Sequence, residues 1–405
     1  MTRVAVTTIA RGAPREVPSG WLRIVDLPSG RELERSALPE SRFIAHDPNP
    51  RGGLRGGRGL AVFGDRLVLA GNDWIRILDR GWQERALIEH PLLSSVHDVA
   101  ADAGGIWVTC AANDCVLRFG WDGALRRTWT WRAHPLVRRR LGQTGAPPVD
   151  RGHDYRRDRA RNWHDLAHVN ALLPDGDALL VGLGQVRSQG FWLWPALSER
   201  AVRRGGRAAE RLRDAWRATP LTRIGRRWGA GERRAPLPPG VNAMGRGEGA
   251  LSAVIRLEPN RRGRPRARVV LTRSGARVPA HNLARLGDLL VVNDSASGRL
   301  LALDPRSGGA VHEVAVPGAP SFPRGLIELG GGRFLAGNQS PLAVHVIDLP
   351  AGTVERSITL PADHGECVYA VAAIPGSFSD PAGRLPATRE EWAGTGGRST
   401  WRVAA

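Results

Sequence analysis

Six residues occupy the same place in a pattern that recurs along the chain: Arg58, His97, His168, His281, Arg324 and Tyr369. The first five precede a short apolar run, a turn and a second apolar run, which in four copies closes on Asn72, Asn113, Asn293 or Asn338, and Tyr369 leads a single run. The clearest copy reads HNLARLGDLLVVN over 281–293. Three imidazoles that converge can bind Zn, Fe, Cu or Mn and leave coordination positions for a substrate. Two guanidiniums can hold a carboxylate, sulfate or phosphate through paired N–H groups. One picture therefore puts a divalent transition metal on His97, His168 and His281, and an anion clamp on Arg58 and Arg324. In a second picture no metal is needed. One His is a nucleophile or general acid–base, and the Arg pair stabilises anionic charge. Tyr369 joins the three His as a candidate catalytic group. A third picture carries no chemistry: the lead His residues pin neighbouring loops by hydrogen bonds.

Other residues near these positions extend the candidate set. Asn170, two residues after His168, and Glu366, just before the last inner strand, are candidates for substrate contact. Glu366 and His364 could instead supply a ligand or a base, or cap a turn. Asp165 could orient an axial His as a hydrogen-bond partner. Asp98 follows His97 on a strand and is expected to point to the opposite side. The repeated Asn residues are expected to satisfy tight turns, and Trp74 and Trp107 to pack between repeats.

The elements that must position these groups follow from the repeat. Residues 58–89, 97–132, 281–316 and 324–360 each read as four short strands joined by tight turns. A four-strand unit of about 40–50 residues is the signature of a propeller blade. The unit opening at His168 is interrupted. Its first two strands lie at 168–173 and 178–184 and its last two at 252–259 and 267–275, with an Arg-rich, partly helical insertion over 186–250 between them. The last copy has one strand, VYAVAAIPG, and the first 46 residues supply three strands without a lead residue. A closed ring accommodates both: the C-terminal strand is innermost in a blade completed from the N-terminus, which removes open sheet edges. The expectation is an all-β, six-bladed β-propeller forming a single domain over 1–376. Insertions occupy 133–165 and 186–250, and a tail over 377–405 is expected to be ordered only in part. Strand direction puts the lead residues, the Asn turns and both insertions at one mouth. That is a usual geometry for a binding site.

Composition agrees with this architecture. The 405 residues are 42% hydrophobic, with 50 Gly and 14 Trp, which suits Gly-rich turns and Trp-bearing strands. The net charge is +19, and all 58 basic residues are Arg. Two stretches carry most of the excess: 133–162, with eight Arg and three acids, and 198–234, with twelve Arg and four acids. Clustered Arg is the footprint of phosphate binding, so nucleic acid is one candidate partner of the insertions. Aromatic interleaving is sparse, and a solvated lid or a surface for an acidic partner fits as well. Cys110 and Cys115 flank a short turn and could pair across a hairpin or remain reduced thiols, and Cys367 stands apart. The N-terminus lacks the apolar core of a signal peptide, and no run reaches the ~18 apolar residues of a membrane helix. A cytoplasmic protein without membrane contact is expected.

The pieces AHVNAL (167–172), VPAHNLARLGDLLVVNDSASGRL (278–300), FPRGL (322–326) and ECVYAVAAIPG (366–376) carry a resemblance to an uncharacterised bacterial family of propeller-like proteins. The resemblance extends over most of 97–376, implies a propeller, and supplies no reaction. A weaker likeness is to arylsulfotransferases, six-bladed propellers whose axial sites use His and Arg with a His-x-Asn motif opening a blade. His168-Val-Asn170 matches that element. Carotenoid-cleaving oxygenases, which hold iron with axial His from four blades, are similar in architecture only, since three candidate His are present here. These observations favour a small-molecule enzyme with an axial His/Arg site. Its class would be a metal-dependent oxidoreductase or lyase acting on a polar or anionic substrate. A metal-free sulfuryl or other group transferase is the alternative, and a binding or scaffold propeller the third reading.

Overall fold

A computed structural model describes residues 3–10, 17–46, 56–157, 164–187, 251–258, 265–274, 280–363 and 365–385. Their strands form six four-stranded antiparallel sheets. The first strands are β1 (Arg3–Ala10), β2 (Trp21–Asp26) and β3 (Glu32–Ala37). Blade 1 is β4 to β7 (Gly59–Phe63, Arg66–Ala70, Ile75–Asp79, Glu84–Ile88). Blade 2 is β8 to β11 (Val96–Asp102, Gly105–Cys110, Cys115–Phe119, Leu125–Thr130). Blade 3 is β12 to β15 (Val169–Asp175, Ala178–Val186, Leu251–Glu258, Arg266–Ser274). Blade 4 is β16 to β19 (His281–Leu286, Leu289–Asp294, Arg299–Leu303, Ala310–Ala315). Blade 5 is β20 to β23 (Arg324–Gly330, Arg333–Asn338, Ala343–Asp348, Thr353–Thr359). The last strand, β24 (Glu366–Ile374), pairs antiparallel with β1, so blade 6 runs β24-β1-β2-β3 and closes the ring from both ends of the chain.

Each blade buries both of its faces, so the core is divided among the gaps between blades. In β5, Leu67 and Leu69 enter the gap shared with blade 6, while Val68 and Ala70 enter the gap shared with blade 2. That division is the period of two of a strand. Six apolar clusters result, one for each pair of neighbouring blades. Each fully buried Leu, Val or Phe contributes about 1.5–3 kcal/mol. Trp74 lies in the cluster between blades 6 and 1, as its place in the repeat suggests. Trp107 packs at the edge of the cluster between blades 2 and 3, under the guanidinium of Arg118.

Cys110 and Cys115 face each other in register on β9 and β10 as free buried thiols. Burial pushes the Cys110 thiol up to about 12.

The chain after β24 continues along the closure. Phe378 and Leu385 join the apolar cluster between blades 6 and 1. The Arg3 guanidinium donates to the Phe378 and Ser379 carbonyls at 2.7 and 3.0 Å. In the insertion after β11, the described residues include α1 (Pro135–Arg140). Residues 188–250, where the helical reading of the long insertion falls, lie outside the described residues, as do 386–405. Among the described residues, no helix is long and apolar enough to cross a membrane.

Candidate functional site

The innermost strands do not run regularly past the lead positions. In β8, His97 and Asp98 lie between the register pairs Val96↔Cys110 and Val99↔Val108. In β12, Asn170 is skipped between Val169↔Leu183 and Ala171↔Gly182. In β16, β20 and β24 the residues skipped are Asn282, Gly325 and Tyr369. A bulge therefore sits within two residues of the lead residue in five of six blades, and bulges re-aim side chains. His168, Asn282 and Gly325 adopt left-handed φ of 52°, 53° and 73°. Asn and Gly tolerate that region. His168 holds it because its N–H donates to Asp165 Oδ1 at 2.9 Å, while the N–H groups of Leu166 and Ala167 donate to the Asp114 carboxylate. Such strain persists only where the surroundings over-determine it.

These bulges bring His97, His168 and His281 together. One ring nitrogen from each lies within 4.8 Å of the others. Around the axis the order is Arg58, His97, His168, His281, Arg324, Tyr369, following blades 1 to 6.

Each imidazole is anchored through Nδ1. His168 Nδ1 lies 2.8 Å from Asp165 Oδ2. An ionised carboxylate only accepts, so in the neutral ring Nδ1 carries the proton and Nε2 the lone pair. His281 Nδ1 lies 2.7 Å from Ser295 Oγ. Ser295 donates its single proton to the Pro323 carbonyl at 2.6 Å, so it accepts from His281 Nδ1–H, and Nε2 again carries a lone pair. His97 Nδ1 is 2.5 Å from the Tyr369 hydroxyl, which can donate or accept. Burial, followed by the neighbouring His168, Arg324, Arg58 and His281, holds His97 well below the usual imidazole range. Burial works to raise the Asp165 carboxyl, but His168 and Arg187 outweigh it and hold Asp165 below the usual carboxylate range. Imidazoles with bonded Nδ1 and a common focus are a donor set that suits a divalent transition metal.

The other half of the ring is cationic. Arg58 and Arg324 are 7% and 5% exposed. Their guanidinium carbons lie 4.7 and 4.4 Å from the centre of the Tyr369 ring. The Tyr369 hydroxyl reaches His97 across the axis and so connects the two halves.

Two further candidates are held by partners distant in the chain. Glu366 is not part of the ring. Its carboxylate accepts from Arg23 Nε at 2.8 Å and Nη2 at 2.5 Å, and also binds Thr8, deep in blade 6. A buried guanidinium needed a counter-charge there, and Glu366 provides it. Asn170 reaches the residue before His281 through its amide. Its amide donates to the Ala280 carbonyl at 2.7 Å and ties blade 3 to the residue before His281. Gly184 permits this contact, since a Cβ there would meet the Asn170 amide at 2.1 Å. Asp98 faces the next blade, accepting from the Leu172 N–H at 2.9 Å. Asn282 likewise accepts from the Gly325 N–H of blade 5 at 2.9 Å. Asn113 and Asn338 bond backbone groups of their own turns and loops, as turn residues do. His364 lies outside the described residues. Ser295 had no signal in the sequence, being one hydroxyl within a Ser-rich turn.

Compared by sequence, the chain matches no family model and no curated protein. It is similar to solved structures at low identity. A nidogen/laminin complex chain is 11% identical with TM-score 0.48, covering 91% of this chain and 97% of that one. A protein of unknown function from Bacteroides caccae is 10% identical with TM-score 0.49 and the same coverage. A catalytically inactive virginiamycin B lyase from Staphylococcus aureus, solved with quinupristin, is 10% identical with TM-score 0.39, covering 76% and 71%. The chain is thus an all-β, six-bladed β-propeller, a class defined here by its own six sheets and ring closure.

Proposed function

We propose that the protein is a small-molecule enzyme whose axial site is metal-dependent, with His97, His168 and His281 as ligands and a polar or anionic substrate. The observation that carries this reading is the convergence of three imidazoles from successive blades within 4.8 Å. Three protein ligands leave positions open for substrate, as catalytic sites do. A bound divalent metal would supply Lewis-acid or redox chemistry. Asp165, Ser295 and Tyr369 would orient its ligands, and Arg58 and Arg324 would receive anionic charge. Metal content of the purified, untagged protein by plasma mass spectrometry tests this. Near-stoichiometric metal is expected in the parent and none in a folded variant carrying His97→Ala, His168→Ala and His281→Ala. No metal in either, even after reconstitution, overturns it.

A second reading is metal-free group transfer, favoured by the Asp165–His168 pair. That pair leaves His168 Nε2 as a nucleophilic lone pair beside cationic Arg groups. It predicts a sulfo- or phospho-histidine adduct at His168 after incubation with a sulfuryl or phosphoryl donor.

A further inference from the structure

We infer that the substrate of this axial site is a compact oxyanion: its anionic group binds Arg58 and Arg324 beside Tyr369, and its reacting atom lies about two or three bonds away. This rests on the axial-site reading above, and it narrows the substrate class.

The charge of Arg58 leads to it. Arg58 is 7% exposed, and its Nε is enclosed without an acceptor among the described residues. No ion pair joins it to a carboxylate there, and its recorded side-chain contact is the Tyr369 ring. A buried, uncompensated charge costs several kcal/mol. Arg324 brings a second buried guanidinium to the same ring. The carboxylates beside the ring imidazoles are committed elsewhere. Asp165 serves His168 and Arg187, and Asp98 serves backbone N–H groups of its own and the next blade. Stacking on a phenol holds a guanidinium by its face and leaves its N–H edge for a ligand. An oxyanion supplies the missing charge and matches that edge.

Distance then sets the size of the ligand. The His97 and Tyr369 ring centres are 5.7 Å apart, and those of His97 and His168 are 4.4 Å apart. The cationic half and the imidazole half therefore adjoin. At ~1.5 Å per bond, two or three bonds carry a molecule from one to the other. Carboxylates substituted at the first or second carbon fit this description, as do small phosphate or sulfate esters.

Calorimetric titration tests both parts. The metal-free parent is titrated with inorganic sulfate and with acetate, beside Arg58→Gln, Arg58→Lys and the three-His variant. Saturable binding is expected in the parent, about 10-fold weaker in Arg58→Gln, intermediate in Arg58→Lys and retained in the three-His variant. Preference for sulfate or for acetate distinguishes the tetrahedral from the planar anion. The zinc-loaded parent is then titrated with oxalate, malonate, succinate and glutarate, and the two shortest are expected to bind at least about 10-fold tighter than glutarate. No binding in the metal-free parent, or undiminished binding in folded Arg58→Gln, overturns the anion site. Should Arg58→Gln not fold by circular dichroism, undiminished affinity of Arg58→Lys for sulfate does the same. Equal affinity along the dicarboxylate series overturns the compact substrate. Failure of the metal reading shows separately, as absent metal with sulfate binding intact.

Discussion

Around one half of the axial ring, each imidazole is fastened through Nδ1 to a different group: a phenol, a carboxylate or a hydroxyl. Around the other half, two guanidiniums lie over a single phenol ring. Hydrogen bonds have direction, so the first half presents ring nitrogens along set lines. Stacking has little direction, so the second half holds two positive charges beside the ring without fixing each N–H group along one line. The ring thus joins a hydrogen-bonded focus to a stacked cationic wall, with Tyr369 belonging to both.

The largest expected effect comes from stripping the carboxylate on the hydrogen-bonded side. Asp165→Ala removes a buried partner of both His168 and Arg187 and should cost roughly 3 kcal/mol of stability. Urea unfolding measures it, and metal content should fall with it. A variant as stable as the parent would mean that the hydrogen-bonded half is not held by its bonds.

An imidazole away from the ring serves as a control. His345 on β22 is buried and pairs with Ser357 at 2.8 Å, much as His281 pairs with Ser295. Burial pushes it down to about 4. Its folded form refuses a proton that the unfolded chain accepts near 6.5. The stability it allows is therefore complete above about pH 6.5 and is lost as pH falls toward 4. The loss amounts to roughly 3 kcal/mol across that window. His345→Phe should flatten this part of the unfolding profile between pH 7 and 4 without changing metal content. A lowered metal content would make His345 part of the site and blur the distinction between axial and outer imidazoles.

Ser295→Ala should act less strongly, weakening zinc binding by about 5- to 10-fold in a competition titration, because one neutral hydrogen bond is worth about 1 kcal/mol. The smallest effect is expected from Tyr369→Phe on the cationic side. The ring and its stacking remain, so sulfate affinity of the metal-free protein should change by less than about 3-fold. A drop as large as that of Arg58→Gln would show that the hydroxyl holds the anion, and the two halves would then not be distinct.

Much of the architecture was legible because a propeller repeats. Lead residue, apolar run, turn and apolar run recur with each blade, and one strand at the end of the chain matches three at its start. The blade interrupted after Val186 was legible too, since β14 and β15 keep their strand pattern beyond the insertion. The lead residues were legible as a ring because equivalent positions in a repeat meet at its axis. The partners of Asn170 and Glu366 were not legible, for the opposite reason. Their neighbours in sequence said nothing of Ala280 and Arg23, which reach them across 110 and 343 residues.

The sequence alone thus determined the number of blades, their closure and the identity of the six residues at the axis. All three follow from local periodicity, which survives in one dimension. Tertiary structure alone decided what each of those residues touches. The bulges that turn His97, His168 and His281 inward, the Ser295 and Asp165 anchors, and the Tyr369–His97 bond depend on how neighbouring blades approach. That approach is set by the apolar gaps between blades, where side chains distant in the chain pack against one another.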